Sequence, residues 1–238
     1  NLKNKKTWHY RMIVLKFNYY KIKKVNKWKI NIVSDVVCPW CIIGYKRLEQ
    51  AIKELNVEDK IEIEWQPFEL NPNIAIEGEN IIEHMNYKYG MKAKQVNDYQ
   101  EERKKDGANL GFKYDYYDDM KIVNTRDAHI LINYAKDFGK QNELQMRLFS
   151  AHFGERKIIS NRDILAKEVE SVGLNVDEAM SKLDGIERDE IIKKEEYWRS
   201  KGINSVPSMI FNNTSMINGA YGIDEYKKII LKLLEEQK

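Results

Sequence analysis

The sequence predicts an α/β fold in which a βαβ half and a ββα half enclose a large all-helical insertion. Three observations predict it. A β-branched segment near the start runs into a helical periodicity and then into an alternating segment. A long stretch from about Asn80 to Ser200 carries helix punctuation and no strand pattern. The chain then closes on two short β-rich segments and one amphipathic helix.

Taken in order, Lys29-Ile30-Asn31-Ile32-Val33-Ser34 reads as the first strand, and Ile42 to Leu55 as a helix with Leu48, Ala51, Ile52 and Leu55 on one face. Ile61-Glu62-Ile63-Glu64-Trp65 alternates apolar and acidic residues, the pattern of a half-solvated edge strand. Within the helical stretch, Val123–Phe138 places Val123, Ala128, Leu131, Ile132 and Ala135 near one stripe before Gly139. Ser160-Asn161-Arg162-Asp163 opens another helix with a capping-box-like start, Gly173 closes it, and a further helix runs from about Ile186 to Lys201 before Gly202. Val206–Phe211 and Ser215–Asn218 are strands joined by Asn212-Asn213-Thr214, residues that tolerate a tight hairpin turn. Gly222 precedes the last helix, Ile223–Glu236, with Ile229, Ile230, Leu233 and Leu234 inward. This order of elements is a thioredoxin fold with a helical domain inside it. The expected division is 1–28 as a basic leader, either disordered or targeting, 29–79 with 201–238 as the thioredoxin-fold domain, and 80–200 as the helical insertion domain.

The length of 238 residues suits such a chain and is too great for a disulfide-stapled miniprotein. Hydrophobic residues make up 42% and charged residues 32%, and no apolar run approaches a bilayer span, so membrane, collagen-like and fully disordered classes are excluded. The net charge of +3 is unevenly distributed. Residues 1–29 hold ten basic side chains and no acid, leaving 30 basic against 37 acidic residues in the remainder, a net −7. A mildly acidic body does not suit nucleic acid, and neither a nucleic-acid nor a membrane partner is expected. In the leader, the apolar stretch Met12-Ile13-Val14-Leu15 is interrupted by Lys16 and followed by no small-residue cleavage site, which fits a secretory signal poorly. A cytoplasmic or organellar location is the expectation.

The two cysteines stand together as Cys38-Pro39-Trp40-Cys41, where the first strand meets the first helix. A disulfide closing so short a loop adds little stability, so the value of the pair is chemical. At the first helical turn, unpaired N–H groups and a dipole of roughly half an elementary charge favour an anion on Cys38. In such motifs a thiol falls from about 8.5 to somewhere around 3.5–7.5. Cys38 is therefore expected as the exposed nucleophile, with Cys41, one turn inward, resolving the mixed disulfide. Pro39, with fixed φ and no N–H, suits the first turn, and the bulky Trp40 would shape and partly cover the site. A zinc centre is the competing use of such a pair, but His9, His84, His129 and His152 offer neither metal-ligand spacing nor a second cysteine pair, so no metal is expected. His129 and His152 lie in helical apolar contexts and read as core or surface positions. Pro207 opens a strand and by itself reads as an ordinary strand-start proline. Combined with the cysteine pair, it points to a cis Val206-Pro207 bond facing Cys38, with backbone groups free to pair with an extended substrate.

Five stretches resemble the DsbA-like thioredoxin-fold dithiol oxidoreductases, in particular their FrnE-like branch. They are Ser34-Asp35-Val36-Val37-Cys38-Pro39-Trp40-Cys41-Ile42-Ile43-Gly44, Trp65-Gln66-Pro67-Phe68-Glu69-Leu70-Asn71-Pro72, Asn124-Thr125-Arg126-Asp127-Ala128-His129, Arg147-Leu148-Phe149-Ser150-Ala151-His152-Phe153 and Ser205-Val206-Pro207-Ser208. Gly219-Ala220 resembles the family's closing Gly-Ala, and the likeness spans about residues 29–236. It implies Cys38 as nucleophile, Cys41 as resolving thiol, Pro207 as the cis proline and a helical domain that roofs the site. Phe112 to Met120, rich in Tyr, reads from its aromatic and acidic residues as a surface loop, while the resemblance offers it as a lining of the cleft. Ser205 and Ser208 flank Pro207 where other members often carry Gly and Phe.

The function expected is thiol-disulfide exchange through Cys38 and Cys41, with no bound cofactor and with protein or small thiol and disulfide substrates, glutathione included. Asp35 and Glu69 are both candidates to accept the proton of Cys41. Two alternatives stay open. One is a glutathione-dependent transferase or isomerase of the kappa-class type, whose members resemble this fold but usually carry serine where Cys38 stands. The other is a non-enzymatic binding or chaperone module that uses the cleft.

Overall fold

The computed structural model describes residues 27–235; the leader up to residue 26 and the end of the last expected helix lie outside the described residues. The first unit is β1 (Trp28–Ser34), α1 (Pro39–Glu54) and β2 (Ile61–Pro67). There follow β3 (Glu79–Asn80), α2 (Ile81–Tyr89), α3 (Ala93–Asn109), β4 (Lys121–Ile122), α4 (Arg126–Lys136), α5 (Gln141–Phe149), α6 (Arg162–Ser171), α7 (Val176–Ser181) and α8 (Glu187–Ser200). The chain closes with β5 (Ser208–Phe211), β6 (Ser215–Asn218) and α9 (Ile223–Glu235). The main sheet has the order β2-β1-β5-β6. β1 runs parallel to β2, as a βαβ crossover requires, and antiparallel to β5.

The β1 side chains are buried almost throughout, which explains the β-branched run. Asn212 (φ 47°) and Asn213 (φ 59°) take the left-handed conformation that turns β5 into β6. Their side chains also fix the register against β1: Asn212 Oδ1 accepts from the Lys29 N–H at 2.9 Å, and Asn213 Oδ1 accepts from Asn31 Nδ2 at 3.1 Å. In α9, Tyr226, Ile230 and Leu233 are buried, while Ile229 and Leu234 are only partly covered. α1 packs against α9. It also approaches β5 closely at Gly44, where a Cβ would lie 3.2 Å from Pro207 Cγ.

Several expectations are corrected. β2 is an edge strand but is not half-solvated, because α4, α5 and α8 lie against it. Glu64 is buried and ion-paired with Lys29 and Lys136, so its place in an alternating pattern did not mean solvent. The helical stretch contains one two-residue antiparallel pairing, β3 with β4, too short to leave a periodicity. α4 starts at Arg126, three residues after Val123, because the Asn124 side chain takes the Arg126 N–H at 3.1 Å and turns the chain. The cap of α6 is Asn161, whose Oδ1 accepts from Asp163 N and Ile164 N, while Ser160 donates to the Ile76 carbonyl. Phe112 to Met120 is not a surface loop: Phe112, Tyr114, Tyr116 and Met120 are buried, and the rings of Tyr114 and Tyr116 stack 5.6 Å apart.

Candidate active site

Cys38 is the N-cap residue of α1, extended at φ −97°, ψ 111°, with Pro39 in the first turn. No side chain caps this helix and its first turn contains no acid, so nothing competes with the sulfur for the positive end. The loop from β1 is tightened by the Cys38 N–H donating to the Asp35 carbonyl at 3.0 Å, and Cys41 N donates to the Cys38 carbonyl at 3.1 Å. Both thiols are free. Cys41 is fully buried. Burial, followed by the neighbouring Cys38 sulfur, pushes its thiol well above the usual range, and the Ser34 hydroxyl and the Asp35 backbone pull the other way.

Val206 and Pro207 come to the same place from the far end of the chain. Their peptide bond is cis, and Cys38 Sγ lies 3.7 Å from the Val206 carbonyl oxygen, within reach for its thiol to donate. Pro207 itself is buried behind this contact, against α1. Trp40 is partly buried beneath the Arg103 guanidinium, which stacks 3.9 Å over its ring and is held by Asp106 at 2.8 Å. The Pro39 carbonyl accepts from the Tyr114 hydroxyl.

Cys38 is not the exposed sulfur the sequence suggested. It is 5% exposed, because α2, α3 and the Tyr116 segment stand over it and border a half-open cavity of ≈ 880 Å³. Cys38, Pro39, Trp40 and Val206 lie on its wall. Linear spacing gave no signal for the side chains that α2, α3 and α8 bring to this wall, since each sits in an ordinary helical pattern.

Behind the pair lies a buried charged cluster. Asp35 Oδ2 accepts from Leu70 N at 2.7 Å, and its Oδ1 accepts from Val37 N at 3.4 Å and lies 3.6 Å from His129 Nε2. Glu69 Oε1 accepts from Arg126 Nε at 2.6 Å, and Glu195 Oε1 accepts from the Glu69 N–H at 3.0 Å. Against the cost of burial, the Asp35 carboxylate, with Glu195 and Glu69, holds His129 above its ordinary value. Burial, with the Glu69 and Asp35 charges, raises Glu195 to about 7. Burial lowers His152 to about 4. Of the two candidate proton acceptors for Cys41, Asp35 meets it through its backbone and Glu69 is committed to Arg126. Among the described residues no group of three or more His, Cys, Asp or Glu side chains is disposed to hold a metal, and no helix is long and apolar enough to cross a membrane.

The family of the DSBA-like thioredoxin domain matches residues 29–231. The Bacillus subtilis protein YwbO, uncharacterised itself, is 30% identical over 203 residues, spanning 84% of this chain and 94% of its own length. A probable DsbA oxidoreductase from Streptomyces coelicolor superposes with a TM-score of 0.82 at 24% identity, over 89% of this chain and 92% of that one. The cytosolic disulfide reductase DsbM of Pseudomonas aeruginosa, solved with GSH, gives 0.58 at 13% identity, over 87% and 99%. At these identities the two structures speak for the fold alone.

Proposed function

This chain belongs to the DSBA-like thioredoxin domain family, and we propose that it is a thiol-disulfide oxidoreductase acting through Cys38 and Cys41 without a bound cofactor. The observation that carries this reading is the placement of Cys38 Sγ. It stands at the uncapped start of α1, on the wall of a cavity and 3.7 Å from the Val206 carbonyl, with Cys41 one turn inward. In this reading residues 29–79 and 201–238 carry the reacting sulfurs and the helical residues 80–200 roof them. The ordered motifs from Ser34 to Pro207 support a place in the FrnE-like branch of that family.

Thiol-disulfide exchange runs through the thiolate of the attacking cysteine, here Cys38 at the start of α1. The thiolate attacks one sulfur of a substrate disulfide, the S–S bond breaks, one thiolate departs and Cys38 is held in a mixed disulfide. Cys41 then loses its proton and attacks Cys38, the second substrate thiol leaves, and the Cys38–Cys41 disulfide remains. The substrate has gained two electrons and the dithiol has lost them; the reverse path oxidises a substrate dithiol. The order of events has a local cause. After burial, the Cys38 sulfur is what most raises the Cys41 thiol, and a mixed disulfide removes that sulfur's charge. Cys41 therefore becomes easier to ionise once its attack is needed.

The test is turnover of a disulfide substrate, insulin or a small organic disulfide, by the wild-type protein and by Cys38→Ser and Cys41→Ser. The proposal expects both variants to lose turnover, and turnover that survives Cys38→Ser contradicts it. The direction of electron flow follows from the reduction potential of the pair. A value near roughly −270 mV marks a reductant and one near roughly −120 mV an oxidant.

A further inference from the structure

The cavity over Cys38 has a chemistry beyond sulfur. Its ≈ 880 Å³ lies within the roughly 300–1,000 Å³ that encloses a small organic ligand. The wall is chiefly apolar, with Met85, Met91, Val96 and Tyr99 supplied by α2, α3 and the turn between them. Two exposed basic side chains stand at its rim. Lys88 Nζ donates to the Leu70 carbonyl at 3.0 Å and to Asn71 Oδ1 at 2.6 Å. Arg199 donates to the Glu69 carbonyl at 3.0 Å and lies 4.0 Å over the Phe68 ring. Among the described residues neither forms an ion pair with a carboxylate, and Glu69, the acid on this wall, is taken by Arg126. The side chains of Gln100 and Tyr116 also line the cavity, each only 7% exposed, and Gln100 Nε2 and the Tyr116 hydroxyl have no hydrogen-bond partner. A ligand oxygen would supply the partner each of them lacks.

A half-open, chiefly apolar space, unpartnered polar groups in its wall and unpaired cations at its rim together describe a ligand. We infer that the site takes a low-molecular-weight organic disulfide with an aromatic or branched apolar body and a carboxylate, in preference to the disulfides of folded proteins. The body fills the space among Met85, Met91, Val96 and Tyr99, the carboxylate faces Lys88 and Arg199, and oxygen acceptors meet Gln100 and Tyr116. The inference rests on the dithiol reading for its chemistry: Cys38 and Cys41 each give up a proton, their sulfurs join, and the ligand's S–S bond is replaced by two thiols.

Binding and turnover separate the two claims. The Cys38→Ser/Cys41→Ser protein cannot exchange, so calorimetry with dithiodibenzoate, an aromatic disulfide bearing a carboxylate at each end, reads binding alone. Saturable one-to-one binding is expected, weakened about tenfold by Lys88→Gln combined with Arg199→Gln and less by Tyr116→Phe, with cystamine and glutathione disulfide at least about tenfold weaker. For the wild type, kcat/KM should be higher for dithiodibenzoate than for insulin disulfides. Absence of saturable binding, equal affinity for dicationic cystamine, or a higher kcat/KM on insulin would overturn the inference and leave the dithiol reading standing. Binding by the double serine variant with no turnover of any disulfide by the wild type would support the ligand class and sink the dithiol reading instead.

Discussion

The Tyr114 hydroxyl donates a 2.7 Å hydrogen bond to the carbonyl of Pro39, the residue that follows Cys38. The bond fastens the helical stretch to the first turn of the dithiol helix, and the Tyr114 ring is wedged between Phe112, Tyr116 and Phe153. Tyr114→Phe keeps the ring and removes the bond. It should lower stability by about 1 kcal/mol in urea unfolding, with the slope of the transition unchanged.

Gly107 sets two effects against each other. Replacing a helix-interior glycine by alanine ordinarily stabilises by about 1 kcal/mol. Here the new Cβ would lie 2.4 Å from the Tyr114 ring and 2.7 Å from the Phe112 carbonyl oxygen, which is backbone and cannot swing away. Overpacking of that kind costs about 1–3 kcal/mol. Gly107→Ala should therefore lower the urea midpoint; a raised midpoint would show that the Tyr114 segment yields easily.

The Glu69 side chain is fully buried against the Arg126 guanidinium. Removing one partner of such a pair leaves a buried charge uncompensated, at about 3–5 kcal/mol. Arg126→Met should reduce stability by an amount of that order, and adding Glu69→Gln, which removes the charge, should restore most of it. Independent, additive losses would contradict the pairing.

Glu195 gives a pH dependence with a definite sign. Burial raises it to about 7 from an ordinary 4.5, so between these values the folded state binds more protons than the unfolded state. Its contribution is then present below pH 4.5 and is lost as pH rises through 7. His129, also raised, acts in the same direction at higher pH, whereas His152, lowered to about 4, favours folding as pH rises from 4 toward 6.5. Glu195→Gln keeps the acceptor for the Glu69 N–H and removes the titration. Denaturation across this range should show wild type minus variant stability falling by about 1 kcal/mol or more; a constant difference would contradict the shift.

The frame of the molecule was legible because periodicity reports burial. The Ile30, Ile32 and Val33 run, the Leu48 and Ile52 stripe and the Asn212-Asn213 turn each fall where the sequence places them. Glu64 and the Tyr114 segment were misread for a shared reason. A carboxylate in an apolar-acidic alternation and a tyrosine among aspartates look solvated in a linear string, and become buried only when a distant helix or ring covers them. The cysteine motif placed Cys38 at a helix start, but its depth under α2 and α3 is a tertiary fact. The same holds for Arg103 on Trp40 and for the Asp35–His129 contact, which joins residues 94 positions apart.

The most direct test uses the reduced Cys41→Ala protein mixed with a disulfide substrate and read by intact-mass and peptide mass spectrometry. The account predicts an accumulating covalent adduct located on Cys38, stable until an external thiol releases it, while the wild type passes on to an internal Cys38–Cys41 bond. A Cys41→Ala protein that gathers no adduct, or a Cys38→Ala protein that gathers one on Cys41 as readily, would contradict the assignment of the attacking and resolving sulfurs.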